Sequence, residues 1–135
     1  MSNIQWKYVV PLRTGKEIEA LETRYSYSLP EDLKACVRAH NAGMPSLSKF
    51  DLGETKEMVF GGMLSFNEGD DDSVYDIIGR FEVEQGKRLS MFPFGIDPFG
   101  NFYCVKESKV VFYDCEIEKT RVISDTFSDF LNMLY

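Results

Sequence analysis

Phe92–Asp114, FPFGIDPFGNFYCVKESKVVFYD, decides how this chain folds. It opens with Phe92-Pro93-Phe94-Gly95-Ile96, an aromatic run suited to a pleated surface. Asp97-Pro98-Phe99-Gly100-Asn101 follows, and its Pro, Gly and Asn favour a reversal of the chain. Phe102–Val105 and Val110–Tyr113 are again β-branched and aromatic, and Lys106-Glu107-Ser108-Lys109 between them has the length of a hairpin loop. Strands joined by so few residues pair antiparallel, because a parallel crossover needs about a dozen residues or more. Outward toward the C-terminus, Thr120–Ile123 makes one more strand. Ser124-Asp125-Thr126 then caps a helix that carries Phe127, Phe130, Leu131 and Leu134 in register.

Outward in the other direction, the pattern is expected to turn back to strand after Gly86. Before it, Val74, Ile77, Ile78 and Phe81 recur at helical spacing, with Asp72 or Ser73 as the cap. Leu47, Phe50, Met58, Phe60, Leu64 and Phe66 are interleaved with Gly53, Gly61 and Gly62, which reads as strands with a turn or bulge at the glycine pair. At the front, Thr14-Gly15-Lys16-Glu17 has the form of a capping box, in which the Thr14 hydroxyl accepts from the Glu17 N–H and the Glu17 carboxylate reaches back. Ile18, Leu21 and Tyr25 continue that first helix. Pro30 suits the first position of a second helix, with Glu31 and Asp32 at the positive end of its dipole. Leu33, Cys36, Val37 and His40 form its inner stripe, and Asn41-Ala42-Gly43 stops it. The fold class expected is α+β: a twisted, mainly antiparallel sheet flanked by about four helices.

The 135 residues suit one domain over residues 1–135, long enough to form a core without disulfide or metal staples. A 44% apolar and 14% aromatic content excludes a disordered chain. The formal charge of −7 argues against direct nucleic-acid binding, which needs cations at the phosphates. The charge is unevenly placed: residues 1–50 carry seven bases and five acids, residues 51–135 eight bases and seventeen acids. No apolar run has the length of a secretory signal or a membrane span. Cys36, Cys104 and Cys115 are odd in number and match no zinc or redox spacing, as expected of buried thiols in a reducing cytoplasm.

No catalytic constellation stands out. His40 is the sole histidine, and its place near a helix end favours a structural role over that of a general base. Asn67-Glu68-Gly69-Asp70-Asp71-Asp72 offers oxygen ligands but lacks the alternating spacing of a calcium loop, so it reads as a solvated, helix-capping loop. Acid pairs for glycoside hydrolysis are uninformative among twenty-two acids, and no glycine-rich phosphate cradle is present. A pocket near Phe94, Asp97 and Asn101, edged by Phe99 and Tyr103, is the alternative for a small enzyme or ligand-binding protein.

The order of segments carries a resemblance. Leu29-Pro30 opens a helix and Asn41-Ala42-Gly43 ends it; Phe92-Pro93-Phe94-Gly95-Ile96-Asp97 precedes Gly100-Asn101-Phe102-Tyr103. Val110–Glu116 follows, and Ser124–Leu131 closes the series. Over roughly residues 15–135 this resembles the SUKH superfamily, and within it the Smi–Knr group. Three positions depart from the family pattern: Ala42 replaces a glycine, Cys115 stands where histidine is frequent, and Thr126 replaces serine. The resemblance implies an α+β binding protein without a catalytic group, cofactor or metal. Bacterial members look like immunity proteins that bind and block a cognate toxin, often a nuclease, in the cytosol, whereas fungal relatives act as regulatory scaffolds in cell-wall signalling. The expected partner is therefore a protein, met by a monomer or weak dimer. An acidic surface suits a basic toxin, and its expected residues are Glu68, Asp70, Asp71, Asp72 and Asp76. At each of these positions the competing reading is a solvated loop with capping acids.

Overall fold

In a computed structural model the chain is described at residues 3–81 and 89–135. Gly86, after which the strand pattern is expected to resume, lies outside the described residues. The order of elements is β1 (Trp6–Lys7), α1 (Glu17–Tyr25), α2 (Glu31–His40), β2 (Met44–Pro45), β3 (Lys49–Leu52), β4 (Thr55–Val59) and β5 (Gly62–Met63). Then come α3 (Val74–Phe81), β6 (Phe92–Ile96), β7 (Phe102–Lys106), β8 (Lys109–Asp114), β9 (Lys119–Ser124) and α4 (Phe127–Met133). This is the α+β architecture expected, with a five-stranded antiparallel sheet in the order β5-β6-β7-β8-β9. Neighbouring strands of this sheet are consecutive strands of the chain: α3 intervenes between β5 and β6, and short connections join the strands after Phe92. β7 and β8 pair from Phe102↔Tyr113 to Lys106↔Lys109 around a tight turn at Glu107-Ser108.

Two shorter ribbons complete the β structure among the described residues: β3 with β4, and β1 with β2. The second is absent from the sequence reading. Two residues per strand give no periodicity, and the partners of Trp6 and Lys7 are Pro45 and Met44, far along the chain.

The core is built largely from aromatic rings. Phe50, Phe60, Phe94, Tyr103 and Phe130 are fully buried. Phe60 meets Tyr103 at 5.2 Å and 89°, and Phe130 at 5.1 Å and 81°, the edge-on geometry that aromatic quadrupoles favour. Phe127 closes on Phe94 in the same way, at 5.3 Å and 85°. Thus α4 presents the face its spacing predicts, and Thr126 caps it by accepting from the Asp129 N–H at 3.0 Å. Burying one such side chain stabilises by about 1.5–3 kcal/mol. The Tyr103 hydroxyl keeps a partner inside this core, donating to the Val59 carbonyl at 2.6 Å. Gly95 is dictated by the same packing: a Cβ there would stand 2.4 Å from Phe60 Cε1. The pairing register shifts between Pro93 and Gly95, where β6 passes that ring.

Some local expectations need correction. The capping box at Thr14 is only half formed. The Glu17 carboxylate accepts from the Thr14 and Gly15 N–H groups at 2.8 and 2.9 Å. The Thr14 hydroxyl accepts from Lys16 rather than Glu17, because α1 starts late and Lys16 holds the N-cap position. Pro30 is likewise the N-cap of α2, one place before the first helical residue. For α3 the choice between two caps resolves to Ser73, whose hydroxyl accepts from the Asp76 N–H at 3.2 Å.

Candidate functional site

The acidic loop between β5 and α3 is closed on itself by Ser65. The Ser65 N–H donates to the Asp72 carbonyl at 3.0 Å, and the Ser65 carbonyl accepts from Val74 at 2.8 Å. This closure turns Asp70 inward. Its carboxylate accepts from the Ser65 hydroxyl at 2.7 Å and from the Asn67 amide at 3.2 Å, and it pairs with Arg13. The Ser65 hydroxyl above all, then Asn67 and Arg13, hold this carboxyl below the ordinary 3.8 against the opposing effect of burial.

Two buried asparagines extend the network to the N-terminal segment. Asn67 accepts from the Arg13 N–H at 3.1 Å and donates to the Pro11 carbonyl at 3.0 Å. Asn41 donates to the Val10 carbonyl at 2.8 Å and to the Ser65 hydroxyl at 3.2 Å, and accepts from the Phe66 N–H at 2.8 Å. Among the described residues no buried side-chain polar atom lacks a partner. A fully satisfied network of this kind fixes one geometry, since each missing bond would cost the desolvation of its group. Residues 10–13 are thereby strapped against the acidic loop.

Beside the strap lies a groove of about 380 Å³. Met44, Met63 and Ile96 give it apolar walls, Tyr8 stands at its edge, and Asp71 and Asp72 border it. Asp97 also borders it, so the acidic loop and the turn after β6 meet at one site. Two backbone features shape this rim. Ala42 at φ 62° turns the chain out of α2, and Tyr8 sits at φ 61° with 76% of its surface exposed. A bulky residue in the left-handed region is a conformational outlier that surrounding structure must enforce. Here the hydrogen bonds of Val10 to Asn41 enforce it.

The sequence-predicted acids thus divide. Asp70 is an internal brace, half-buried and ion-paired, and is poorly placed to meet a partner. Glu68 is exposed and lies 3.8 Å from Arg24. Asp71, Asp72 and Asp76 are exposed, and among the described residues none has a cation within 4 Å. The front half's positive charge therefore answers part of the loop through Arg13 and Arg24 and leaves the rest free. Tyr8, Met44, Asn41 and Asn67 escaped the sequence reading as site residues. The turn-forming Asn-x-Gly at Asn41-Ala42-Gly43 and the loop-opening Asn67 were visible, but their amide partners were not.

Of the residues expected at the alternative pocket, Asp97, to which Asn101 is hydrogen-bonded, borders the groove, and the aromatic ones lie apart. Phe94 and Tyr103 lie in the core, and Phe99 projects with 81% of its surface exposed. The Asp97 carboxylate is occupied by the Phe99 and Asn101 N–H groups at 2.9 and 2.8 Å and by the Asn101 amide at 3.0 Å. Asn101 in turn accepts from Cys115 at 3.0 Å. These bonds build a rigid turn. His40 stacks on Trp6 with ring centroids 5.1 Å apart. Burial pushes the Cys36 thiol up to about 12, and raises Cys104 and Cys115 as well. Among the described residues no three His, Cys, Asp or Glu side chains are grouped to hold a metal ion, and no helix is long and apolar enough to cross a membrane.

Residues 14–133 match the family model described as SMI1 / KNR4 family (SUKH-1). Among curated proteins none matches the chain.

Proposed function

The chain belongs to the SMI1 / KNR4 family (SUKH-1), and from that membership we propose that it is a cytoplasmic, non-catalytic immunity protein that binds and neutralises a cognate bacterial toxin. The observation that carries this reading is the split of the acidic loop. Glu68 and Asp70 face arginines of the same chain, while Asp71, Asp72 and Asp76 stand exposed with no cation within 4 Å among the described residues, and Asp71 and Asp72 border the groove. A nuclease must be basic where it grips phosphate, so such a surface steers association and covers the grip. The non-catalytic part of the reading is supported by the groups that chemistry would need. His40 is stacked, and all three thiols are held protonated by burial.

The test is coexpression with candidate toxin domains, beginning with any that genome sequencing finds encoded beside this gene. The expected result is rescued growth and a stable complex with the chain in stoichiometric amount. Reversing Asp71, Asp72 and Asp76 to Lys should abolish both, with Asp70 left intact because its loss would loosen the loop. Rescue without a complex would overturn neutralisation by binding. Capture of an endogenous partner with no effect on any toxin would favour the regulatory scaffold instead.

A further inference from the structure

We propose that the groove beside the acidic loop receives one arginine side chain of the bound partner. This deepens the immunity reading and rests on it for the identity of the partner. Three features of the groove fit that occupant together. First, its lining is charged in one sense only: Asp71, Asp72 and Asp97 border it, and no Lys or Arg does among the described residues. Asp97 is already met by three N–H groups from its own turn, which leaves the pair on the acidic loop as the open acceptors. Second, the same groove is lined by the apolar side chains of Met44, Met63 and Ile96. A long cationic side chain buries its methylenes along such a wall and holds its charge at the rim, and thioether side chains adapt to the irregular stem. Third, Tyr8 is held at the edge with its ring exposed, in a backbone conformation that costs free energy. A guanidinium is the cation that stacks on an aromatic face while its fork still donates to carboxylates.

The volume agrees. About 380 Å³ lies at the low end of the range of small-molecule sites, enough for a side chain and its waters but not for a folded element. Arginine anchors in such central, partly desolvated pockets are common hot spots of interfaces.

The experiment uses the whole chain with its methionine methyl groups labelled for NMR. The probe is N-acetyl-arginine methylamide, and the control is N-acetyl-citrulline methylamide, which has the same shape without the charge. Saturable shifts of the Met44 and Met63 methyls with the arginine probe, at least about tenfold weaker with citrulline, are expected. The double variant D71N/D72N should keep the unbound spectrum and lose at least about fivefold in affinity for the arginine probe. Equal binding of both probes, shifts confined to other methionines, no shifts at all, or full binding by the double variant would each overturn the proposal. No toxin takes part, so the two readings fail separately. A toxin complex without probe binding would sink the arginine site alone, and probe binding without a toxin complex would sink the immunity reading alone.

Discussion

Ala42 sits at φ 62°, where an L-residue pays for its Cβ. Replacing it by glycine removes a left-handed penalty of about 1–2 kcal/mol and costs part of that in unfolded-state entropy. Ala42→Gly should therefore stabilise the chain by about 0.5 kcal/mol, read as a higher urea midpoint at unchanged slope. An unchanged or lower midpoint would mean that the turn at residues 41–43 is held by contacts of the Ala42 methyl. Asp70 gives the opposite case, a residue whose worth depends on pH. Its carboxyl is held below 3.8, chiefly by the Ser65 hydroxyl, so its ionised form is favoured by folding. That contribution is complete above the unfolded value and disappears as pH falls through the lowered folded value. Asp70→Asn should cost about 1 kcal/mol near neutral pH. The gap to the natural chain should narrow as pH falls through the lowered folded value, once both side chains are neutral. Urea titrations in a series from about pH 7 into the acid range check both halves, and a gap that stays constant across the whole series would remove the charge from the explanation.

At the scale of elements, the turn between β7 and β8 is where sequence and geometry agree least. Glu107 and Ser108 both have positive φ, at 52° and 69°, as a two-residue type I′ turn demands. Neither residue favours it. Glu107→Asn with Ser108→Gly should stabilise the hairpin by about 1 kcal/mol, seen as a raised thermal midpoint. A lower midpoint would show that the loop is held by side-chain contacts rather than by its backbone. The hairpin itself was legible in the sequence because everything it needs is local: alternating apolar residues, a short polar loop, and pairing with the next strand. Thr126 and Ser73 were legible as caps for the same reason. What was hidden depends on distant partners. Trp6 and Lys7 become a strand only against Pro45 and Met44. Gly95 is required by the Phe60 ring, which approaches from another strand. In the candidate site the run of acids was plain, but Asp70 turns inward through Arg13, Ser65 and Asn67, and no spacing within the loop announces that. The groove was invisible for the same reason, since Tyr8, Met44, Asp72 and Ile96 come from four separate stretches of chain.

Over the whole molecule, net charge and placed charge make different predictions. The formal charge of −7 would attract any basic partner, whichever acids carried it. Asp71, Asp72 and Asp76 lie close together in the chain, exposed and with no cation within 4 Å among the described residues, while other exposed acids lie elsewhere on the surface. Glu31, Glu107 and Asp129 are exposed too, and they belong to the other end of the sheet, near the β7–β8 turn and the start of α4. Screening acts over about 8–10 Å at physiological salt, so only charges near the contact guide the last approach. Neutralising Asp71, Asp72 and Asp76 to Asn should slow association with the toxin by roughly tenfold at low ionic strength and flatten its salt dependence. Neutralising Glu31, Glu107 and Asp129 to Gln or Asn removes the same formal charge and should leave the association rate within about twofold. Stopped-flow association measured across a salt series separates the two. If both triple variants slowed equally, the charge would act as a global property and the acidic loop would not be the face that meets the partner. If only the first slowed, and dissociation of its complex also quickened, the same residues would be guiding the approach and holding the bound state.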